Sequence, residues 1–323
     1  MKYPKLDVLS KAEMDQIHAA TLEVMQNPGI KIRHDYSREL CKKAGCDVDD
    51  ETMVVKFPPQ LVEECLKKCP SEFVAHSRDG KKDVLMKSDG SDVRNVTFGI
   101  GTQTTKYISH GEFETKASTL ADLGNICKVA DACNNVDFIC APVSAMDYAV
   151  SDVSRTIREI DAIATNSVKP YYPDTECKYL DLYYEYETAV YGGDKEEAYN
   201  KSFMIIAGCP TSPLQLDFMT AEICTKAPEY GMPVLTLSMA MSAGSSPIFL
   251  AGTLVTHNAE VLAGMVLTQL AHPGAKFVYG SSTTNFDFYC ASSPVGSPEL
   301  ALISAGVAEL AQYYHLPCKV AGL

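Results

Sequence analysis

Short apolar runs alternate with longer amphipathic segments along most of this chain. Each apolar run ends in Gly, Pro, Ser or Thr, which is typical of a strand that leads into a loop, and a helical repeat of apolar positions follows it. The predicted strands are 97–101, 138–144, 169–173, 203–209, 234–241, 276–282 and 317–322. The predicted helices are 119–133, 152–166, 176–199, 213–230, 248–271 and 297–315. This alternation indicates parallel strands joined by right-handed crossovers.

Two α/β architectures are compatible with the alternation. A doubly wound sheet usually carries a Gly-rich phosphate loop after an early strand, and Gly99-Ile-Gly101 lacks the third glycine of such a loop. A (β/α)8 barrel has eight strands, whereas seven predicted units occupy residues 97–323. The pattern therefore favours an α/β fold of the TIM-barrel type that here lacks its last strand and helix.

Residues 1–96 are predicted to form a mostly helical extension, separate from the incomplete barrel of residues 97–323. Ser10 and Glu13 have the spacing of a capping box, and the apolar positions after them predict a helix that stops at 27–29. The other elements predicted here are helices at 35–44 and from Pro58-Pro59 to Pro70, and hairpins around Asp79-Gly80 and Asp89-Gly90.

The 323 residues carry a formal net charge of −13 at pH 7. An acidic surface repels nucleic acid and anionic membranes, so we expect neither as a partner. We find no signal-peptide pattern and no uncharged apolar run of about 18 residues, which predicts a cytoplasmic protein. The 12 cysteines lack zinc-type spacing and lie mostly in apolar contexts, so we expect buried, reduced thiols and no metal site.

In a barrel of this type the functional side chains lie at the C-terminal ends of the strands. These positions hold hydroxyls, aromatic rings and methionines, which suit an uncharged or cationic, methyl-rich ligand. Aromatic rings near the third and sixth strands are candidates for a cation–π cage, at about 0.5–2 kcal/mol per ring, and are equally compatible with core or rim positions. The strand-end candidates are Gly101, Thr102, Pro142, Ser144, Tyr172, Asp174, Cys209, Thr211, Ser212, Met239, Met241, Ser242, Ser281, Ser282 and Thr283, and the other aromatic candidates are Tyr171, Tyr279, Phe286, Phe288 and Tyr289.

Two further polar groups allow both a structural and a functional interpretation. Glu299 follows Pro298 at a predicted helix start, where a carboxylate interacts favourably with the helix dipole and also lies near the active face. His257-Asn258 and Glu260 lie inside a predicted helix, and barrel helices pack outside the strands, which favours a structural role for them.

Longer motifs give a more specific signal than any single residue. They are Cys209-Pro-Thr-Ser-Pro-Leu214, Leu237-Ser-Met-Ala-Met-Ser-Ala-Gly-Ser-Ser-Pro247, Leu250-Ala-Gly-Thr-Leu-Val-Thr-His-Asn-Ala-Glu260, Tyr279-Gly-Ser-Ser-Thr-Thr284 and Pro294-Val-Gly-Ser-Pro-Glu-Leu300. Together they closely resemble the trimethylamine methyltransferase family, and the resemblance extends over the whole chain. Members transfer a methyl group from trimethylamine, or from quaternary amines such as glycine betaine, to the cobalt of a cognate corrinoid protein.

The resemblance implies partners and, with the strand ends, a set of site residues. The partners are a small methylated amine and a cognate corrinoid protein, which binds the cobalt cobamide itself, so no cofactor is expected directly on this chain. We also expect a homo-oligomer. Glu299 is the candidate catalytic residue; the substrate-binding candidates are Tyr172, Met241, Tyr279, Ser281, Thr283 and Phe286, and the candidates for contact with the cofactor are Gly101, Ser212 and Ser242.

The branch of the family that uses trimethylamine carries pyrrolysine directly after a segment that resembles 316–323. The resemblance therefore implies a pyrrolysine just after Leu323, and we expect this sequence to be the part that precedes an in-frame amber codon. Trimethylamine must be activated before a methyl group leaves it, either by protonation or by addition to an electrophile such as the pyrrolysine imine.

Two alternative functions remain open from the sequence. A relative without pyrrolysine would demethylate a quaternary amine, which leaves as a neutral tertiary amine without further activation. The second alternative is a truncated, non-catalytic product or an amine-binding module. An open seven-stranded barrel exposes two strand edges, so such a product should aggregate or need a partner. The downstream reading frame separates the first alternative from the trimethylamine enzyme, and the mass of the native protein tests the second.

Overall fold

The computed structural model describes residues 6–88, 95–99, 104–109, 112–147, 151–173 and 176–321. The helices within these ranges are α1 (Lys11–Gln26), α2 (Asp35–Lys43), α3 (Pro59–Lys68), α4 (Leu120–Ala132), α5 (Asp152–Asn166), α6 (Leu180–Val190), α7 (Lys195–Asn200), α8 (Phe218–Lys226), α9 (Leu250–Ala271) and α10 (Pro298–Tyr313). The strands are β1 (Ile30–Ile32), β2 (Asp47–Asp49), β3 (Val54–Lys56), β4 (Glu72–Ala75), β5 (Val84–Lys87), β6 (Thr97–Phe98), β7 (Thr104–Ser109), β8 (Glu112–Ala117), β9 (Phe138–Cys140), β10 (Tyr171–Tyr172), β11 (Ile206–Gly208), β12 (Gln215–Leu216), β13 (Val234–Ser238), β14 (Met241–Ser242), β15 (Phe277–Ser281), β16 (Thr284–Asn285) and β17 (Cys318–Val320).

Parallel strands that follow one another in sequence order form the centre of the fold. β6 pairs with β9 and β9 with β10, and a parallel bridge from Tyr171 to Met204 links β10 to the start of β11. From there β11 pairs with β13, β13 with β15, and β15 with β17. All seven predicted strands are present, which confirms the α/β class. No pairing joins β6 to β17 among the described residues, and the incomplete barrel of the TIM type, without its last strand and helix, stays a prediction.

Side chains of the central strands alternate between two faces. One face packs on the helices, and the other, which we call the inner face, forms a separate apolar cluster with the β4–β5 hairpin. Phe73 and Met86 of that hairpin pack with residues at the starts of the strands, so the hairpin covers the N-terminal end of the inner face. The strand residues of the inner cluster are Phe138, Tyr172, Ile205, Leu235 and Val278, flanked by Cys140, Ala207 and Leu237.

Helix α9 is buried on almost every side. Helices α1, α2 and α3 pack against it, and β13 and β15 contact it from the sheet. Gly264 allows close approach to the sheet, because a Cβ there would lie 2.4 Å from Oγ1 of Thr236. By length and composition α9 also resembles a membrane-spanning helix, but 72% of its most apolar 18-residue window is buried inside the protein, as in the core helix of a soluble protein.

The N-terminal segment shares its core with the sheet region. β1 pairs in parallel with β12, so that Lys31 lies opposite Gln215. Met25 and Val62 belong to the same apolar cluster as Leu262 of α9. The division into two units at residue 96 therefore stays a prediction, and the packing across that boundary is continuous.

Three local differences from the sequence-based expectation have clear causes. The helix predicted at 176–199 is split into α6 and α7, because Gly192 and Gly193 adopt φ of +67° and +94° and Asp194 caps the next helix. The helix predicted at 213–230 begins at Phe218, since Gln215–Leu216 forms β12 and Asp217 is the cap. The antiparallel hairpin of β7 and β8 was not predicted. The predicted turn at Asp89-Gly90 lies outside the described residues.

Candidate functional site

Tyr172 and Lys319 meet at the C-terminal end of the inner face. Nζ of Lys319 lies 4.0 Å from the centroid of the Tyr172 ring. Cys140 at the end of β9 and Cys209 just after β11 are close enough to interact electrostatically with this ammonium group. The four side chains come from separate segments of the central sheet, so their meeting is a consequence of the parallel strand order.

This cluster places an ammonium group in an environment that solvates it poorly. Burial lowers the pKa of Lys319 below its ordinary value, and the neighbouring thiols oppose that shift. Burial likewise raises the pKa of Cys209 and of Tyr172. Among the described residues no carboxylate forms an ion pair with Lys319, and a cation–π contact is worth only about 0.5–2 kcal/mol. An ammonium in such surroundings favours a partner that offers a lone pair or a negative charge.

On the helix-facing side of the same strand ends, Glu260 of α9 holds two loops in place. Its carboxylate accepts hydrogen bonds from Oγ of Ser212 at 2.8 Å, the backbone N–H of Leu214 at 2.9 Å and Oγ of Ser238 at 2.7 Å. Burial raises the pKa of Glu260, and these three hydrogen bonds oppose the shift. The carboxylate thus fixes the loop after β11 to the end of β13.

His257 and Asn258 continue this polar layer along α9. Nδ1 of His257 lies 2.9 Å from Oγ1 of Thr283, and burial lowers the pKa of His257 to about 3, so the ring is neutral. Its Nε2 is buried and has no partner among the described residues. The hydroxyl of Tyr279 donates to Oδ1 of Asn258 at 2.7 Å, and Nδ2 of Asn258 donates to the hydroxyl of Tyr314 at 2.8 Å. Tyr279 and Thr283 therefore face the helices.

Beyond the sheet, β14 and β16 pair in parallel and form a rim at the C-terminal end. Oγ of Ser242 donates to the carbonyl of Ile248 at 2.9 Å, which ties the rim to the start of α9. The rings of Phe286 and Phe288 contact each other edge to face at 5.2 Å. Exposed apolar side chains are concentrated in these loops, namely Met239, Ile248, Phe249, Phe288, Tyr289 and Val295.

The structure distributes the predicted site residues over four places. Tyr172 lies on the inner face, Met241, Ser242 and Phe286 belong to the rim, and Glu299 is exposed at the start of α10, where Oγ of Ser297 caps the helix. Tyr279, Ser281, Thr283 and Ser212 belong to the layer that faces the helices, so Tyr172 and Tyr279 do not share one cage. Gly101 and the position after Leu323 lie outside the described residues.

The sequence-based prediction did not include Lys319 among the site residues, although the strand pattern around it contains a signal. It is the charged residue in the strand segment Cys318-Lys-Val320, and strand alternation places it on the face opposite to its two neighbours. A lysine at such a position in an otherwise apolar strand is unusual unless it has a role there.

Comparison with known proteins identifies the family. The family model described as trimethylamine methyltransferase (MTTB) matches residues 1–323, and this chain belongs to that family. It is 45% identical to a trimethylamine methyltransferase of Methanosarcina mazei, over 98% of this chain and 64% of that protein. Identity to a glycine betaine methyltransferase of Desulfitobacterium hafniense is 28%, over 99% of this chain and 65% of that protein.

A likeness to solved structures supports the fold alone. The monomethylamine methyltransferase of Methanosarcina barkeri superposes with a TM-score of 0.53 at 14% sequence identity, over 95% of this chain and 66% of that chain. This chain thus spans somewhat less than two thirds of the length of the curated relatives it matches, 64% for the protein from Methanosarcina mazei.

Proposed function

We propose that this protein transfers a methyl group from trimethylamine to the Co(I) of a corrinoid protein. The observation that carries the proposal is the match of the whole chain to the trimethylamine methyltransferase family, with 45% identity to a relative of that name. The relative named for glycine betaine is more distant, at 28% identity. In this reaction the cobalt is a substrate carried by the partner protein.

The inner face supports a small methylated amine as the second substrate. Its lining is apolar and aromatic, and one tyrosine ring there, Tyr172, already contacts an ammonium group.

The exposed apolar rim supports docking of the corrinoid protein at the same end of the sheet, since such patches mark interaction surfaces. Glu299 lies at the start of α10, whose cap Ser297 donates to Asn285 of the rim, and we propose it as a residue at the mouth of the site. We also propose a cytoplasmic location.

The direct test is methyl transfer by the native protein to a corrinoid protein reduced to Co(I). Loss of the Co(I) absorbance and release of dimethylamine are expected with trimethylamine. Dimethylamine itself serves as the control, because it is the product and should not react. Absence of methyl transfer with trimethylamine from an enzyme that is folded and binds its partner would contradict the proposal.

A quaternary amine is the second candidate substrate. The ammonium of Lys319 offers a partner for the carboxylate of glycine betaine, and one relative carries the name of that activity. The same assay with glycine betaine distinguishes the two candidate substrates, because dimethylglycine would be the product. Amine binding without methyl transfer would instead favour an amine-binding module.

A further inference from the structure

Lys319 has a position that the proposed reaction has not yet explained. We propose that its ammonium group donates a hydrogen bond to the nitrogen lone pair of a neutral tertiary amine and then supplies the proton with which that amine becomes a leaving group. This inference rests on the proposed function. It makes Lys319 a catalytic residue and makes the site selective for amines that retain a lone pair.

The geometry favours a hydrogen-bond acceptor next to Lys319. Its Nζ stands at the C-terminal end of the inner face, 4.0 Å from the Tyr172 ring centroid. That ring covers one side of the ammonium, while an ammonium has three N–H groups to donate. In the described part of the chain no hydrogen-bond acceptor takes any of them. The two nearby thiols are weak acceptors, so the donors are available to a ligand.

The reaction needs a proton on nitrogen before the C–N bond breaks, and Lys319 supplies it to an amine that enters the site in its neutral form. Displacement from free trimethylamine would expel an amide anion, which is a very poor leaving group. When an N–H bond of Lys319 breaks and an N–H bond forms on trimethylamine, the substrate becomes trimethylammonium and Lys319 becomes a neutral amine. The electron pair of Co(I) then bonds to one methyl carbon, and the electrons of the broken C–N bond return to nitrogen. Neutral dimethylamine leaves, and Lys319 regains its proton from water.

Burial prepares Lys319 for this transfer. Because burial lowers its pKa, the ammonium is a stronger acid than a lysine in water and releases its proton more readily to an amine. A quaternary ammonium that carries no carboxylate, such as tetramethylammonium, gains nothing from the same group. It has no lone pair, and its fixed positive charge lies beside a second cation in a poorly solvated site.

Three variants separate these roles. Lys319→Met removes the charge and the proton, Lys319→Arg keeps the charge but does not release a proton, and Lys276→Met is the control. Lys276 is also partly withdrawn from water, and burial likewise lowers its pKa, but it interacts with Glu187 on the helix-facing side. Thermal unfolding of each variant establishes that it is folded. The measurements are methyl transfer to the Co(I) corrinoid protein and binding of trimethylamine and tetramethylammonium, which differ by one methyl group.

We expect Lys319→Met to lower kcat/KM for trimethylamine by about 10²–10⁴-fold, the usual contribution of a general acid. It should also bind tetramethylammonium at least tenfold more tightly than the wild type does, as follows from removing a like charge. Lys319→Arg should lose methyl transfer yet still reject tetramethylammonium. Lys276→Met should behave as the wild type in both assays. In the wild type, methyl transfer should decline as the pH rises through the pKa of Lys319.

The outcome that overturns the inference is distinct from failure of the proposed function. If Lys319→Met transfers methyl groups within threefold of the wild type and still rejects tetramethylammonium, Lys319 has neither role although the function stands. If even the wild type methylates no cobalt, the proposed function fails. In that event the NMR signal of ¹³C-labelled lysine at position 319 still decides whether trimethylamine contacts the ammonium, since absence of a shift contradicts it.

Discussion

The two sides of the central sheet hold polar groups in opposite ways. On the helix-facing side, Glu260 and Asn258 make several short hydrogen bonds each to loops and helices. On the inner face, Lys319 contacts an aromatic ring and interacts with two thiols, and no residue in the described ranges accepts a hydrogen bond from it. Buried polar groups with all partners satisfied fix a structure, whereas one left with open donors calls for an explanation, of which a ligand is one. The comparison therefore separates Glu260 and Asn258, which fix loops and helices, from Lys319, whose donors are proposed to meet the substrate.

We expect the largest effect on stability from Glu187, whose carboxyl group is buried on the helix-facing side. One of its oxygens accepts from Ser202 and from the backbone of Phe203 and Met204, and the other has no partner among the described residues. Burial raises the pKa of Glu187 from 4.5 to about 8. The folded state then binds more protons than the unfolded state between those values. Stability should fall with rising pH, by about 1.4 kcal/mol per pH unit.

Urea unfolding of the wild type and of Glu187→Gln across pH 5 to 8 checks this slope. Glutamine has the same shape and no titrating proton, so the slope attributable to residue 187 should disappear. Parallel pH profiles for the two proteins would show that the carboxyl group titrates normally in the fold.

Glu260→Ala should be the most damaging single substitution in the polar layer at the strand ends. It leaves Ser212, Ser238 and the N–H of Leu214 without their acceptor, at a cost of about 3 kcal/mol or more. Glu260→Gln is the matched control, because its amide oxygen still accepts hydrogen bonds, and it should lose less than half as much. Equal unfolding free energies for the two variants, measured in urea, would show that the three hydrogen bonds do not determine the effect.

Two tyrosines sharpen the comparison between the faces. Tyr279→Phe leaves the amide oxygen of Asn258 without its donor and should lower stability by about 1–2 kcal/mol, while amine binding stays unchanged. Tyr172→Leu removes the ring that covers Lys319 and should weaken amine binding. Calorimetric titration with trimethylamine measures amine binding, and thermal unfolding measures stability. A loss of amine binding in Tyr279→Phe would mean that the faces are not separate.

Glu299 should give the smallest effect. Its side chain is exposed and Ser297 already caps α10. Solvent therefore screens the electrostatic effect that this carboxylate exerts at the inner face. We expect Glu299→Gln to lower kcat/KM for trimethylamine less than tenfold and to leave the melting temperature unchanged. A larger loss in the cobalt methylation assay would place this carboxylate in direct contact with the reacting groups.

Periodicity along the chain identified the central strands because their apolar runs are short, separate and followed by helical repeats. It did not identify the break at Gly192-Gly193, although the two glycines and the capping Asp194 are a local signal for a helix end and a new start. The β7–β8 hairpin was missed because its mixed polar sequence has no clear alternation. Local signals of this kind are overridden by tertiary packing or by single residues.

The site was harder to predict because a shift of one residue turns a strand side chain to the other face. Tyr172 lies at a strand end on the inner face, whereas Tyr279 within β15 faces α9. Lys319 escaped attention because its partners Tyr172, Cys140 and Cys209 are distant in sequence and meet only when the sheet forms. The sequence analysis placed His257, Asn258 and Glu260 inside a helix. The structure shows in addition that Glu260 binds the loop after β11 and the end of β13.

The burial of α9 beneath α1, α2 and α3 also affects how the protein is made. Ribosomes synthesise the N-terminal helices first, and chains generally begin to fold from that end. The helices that cover the apolar helix have therefore already left the ribosome when α9 emerges, which limits its exposure to chaperones and to other nascent chains. A circular permutant that delivers α9 before α1 should accumulate in inclusion bodies, although every native contact would be available to it.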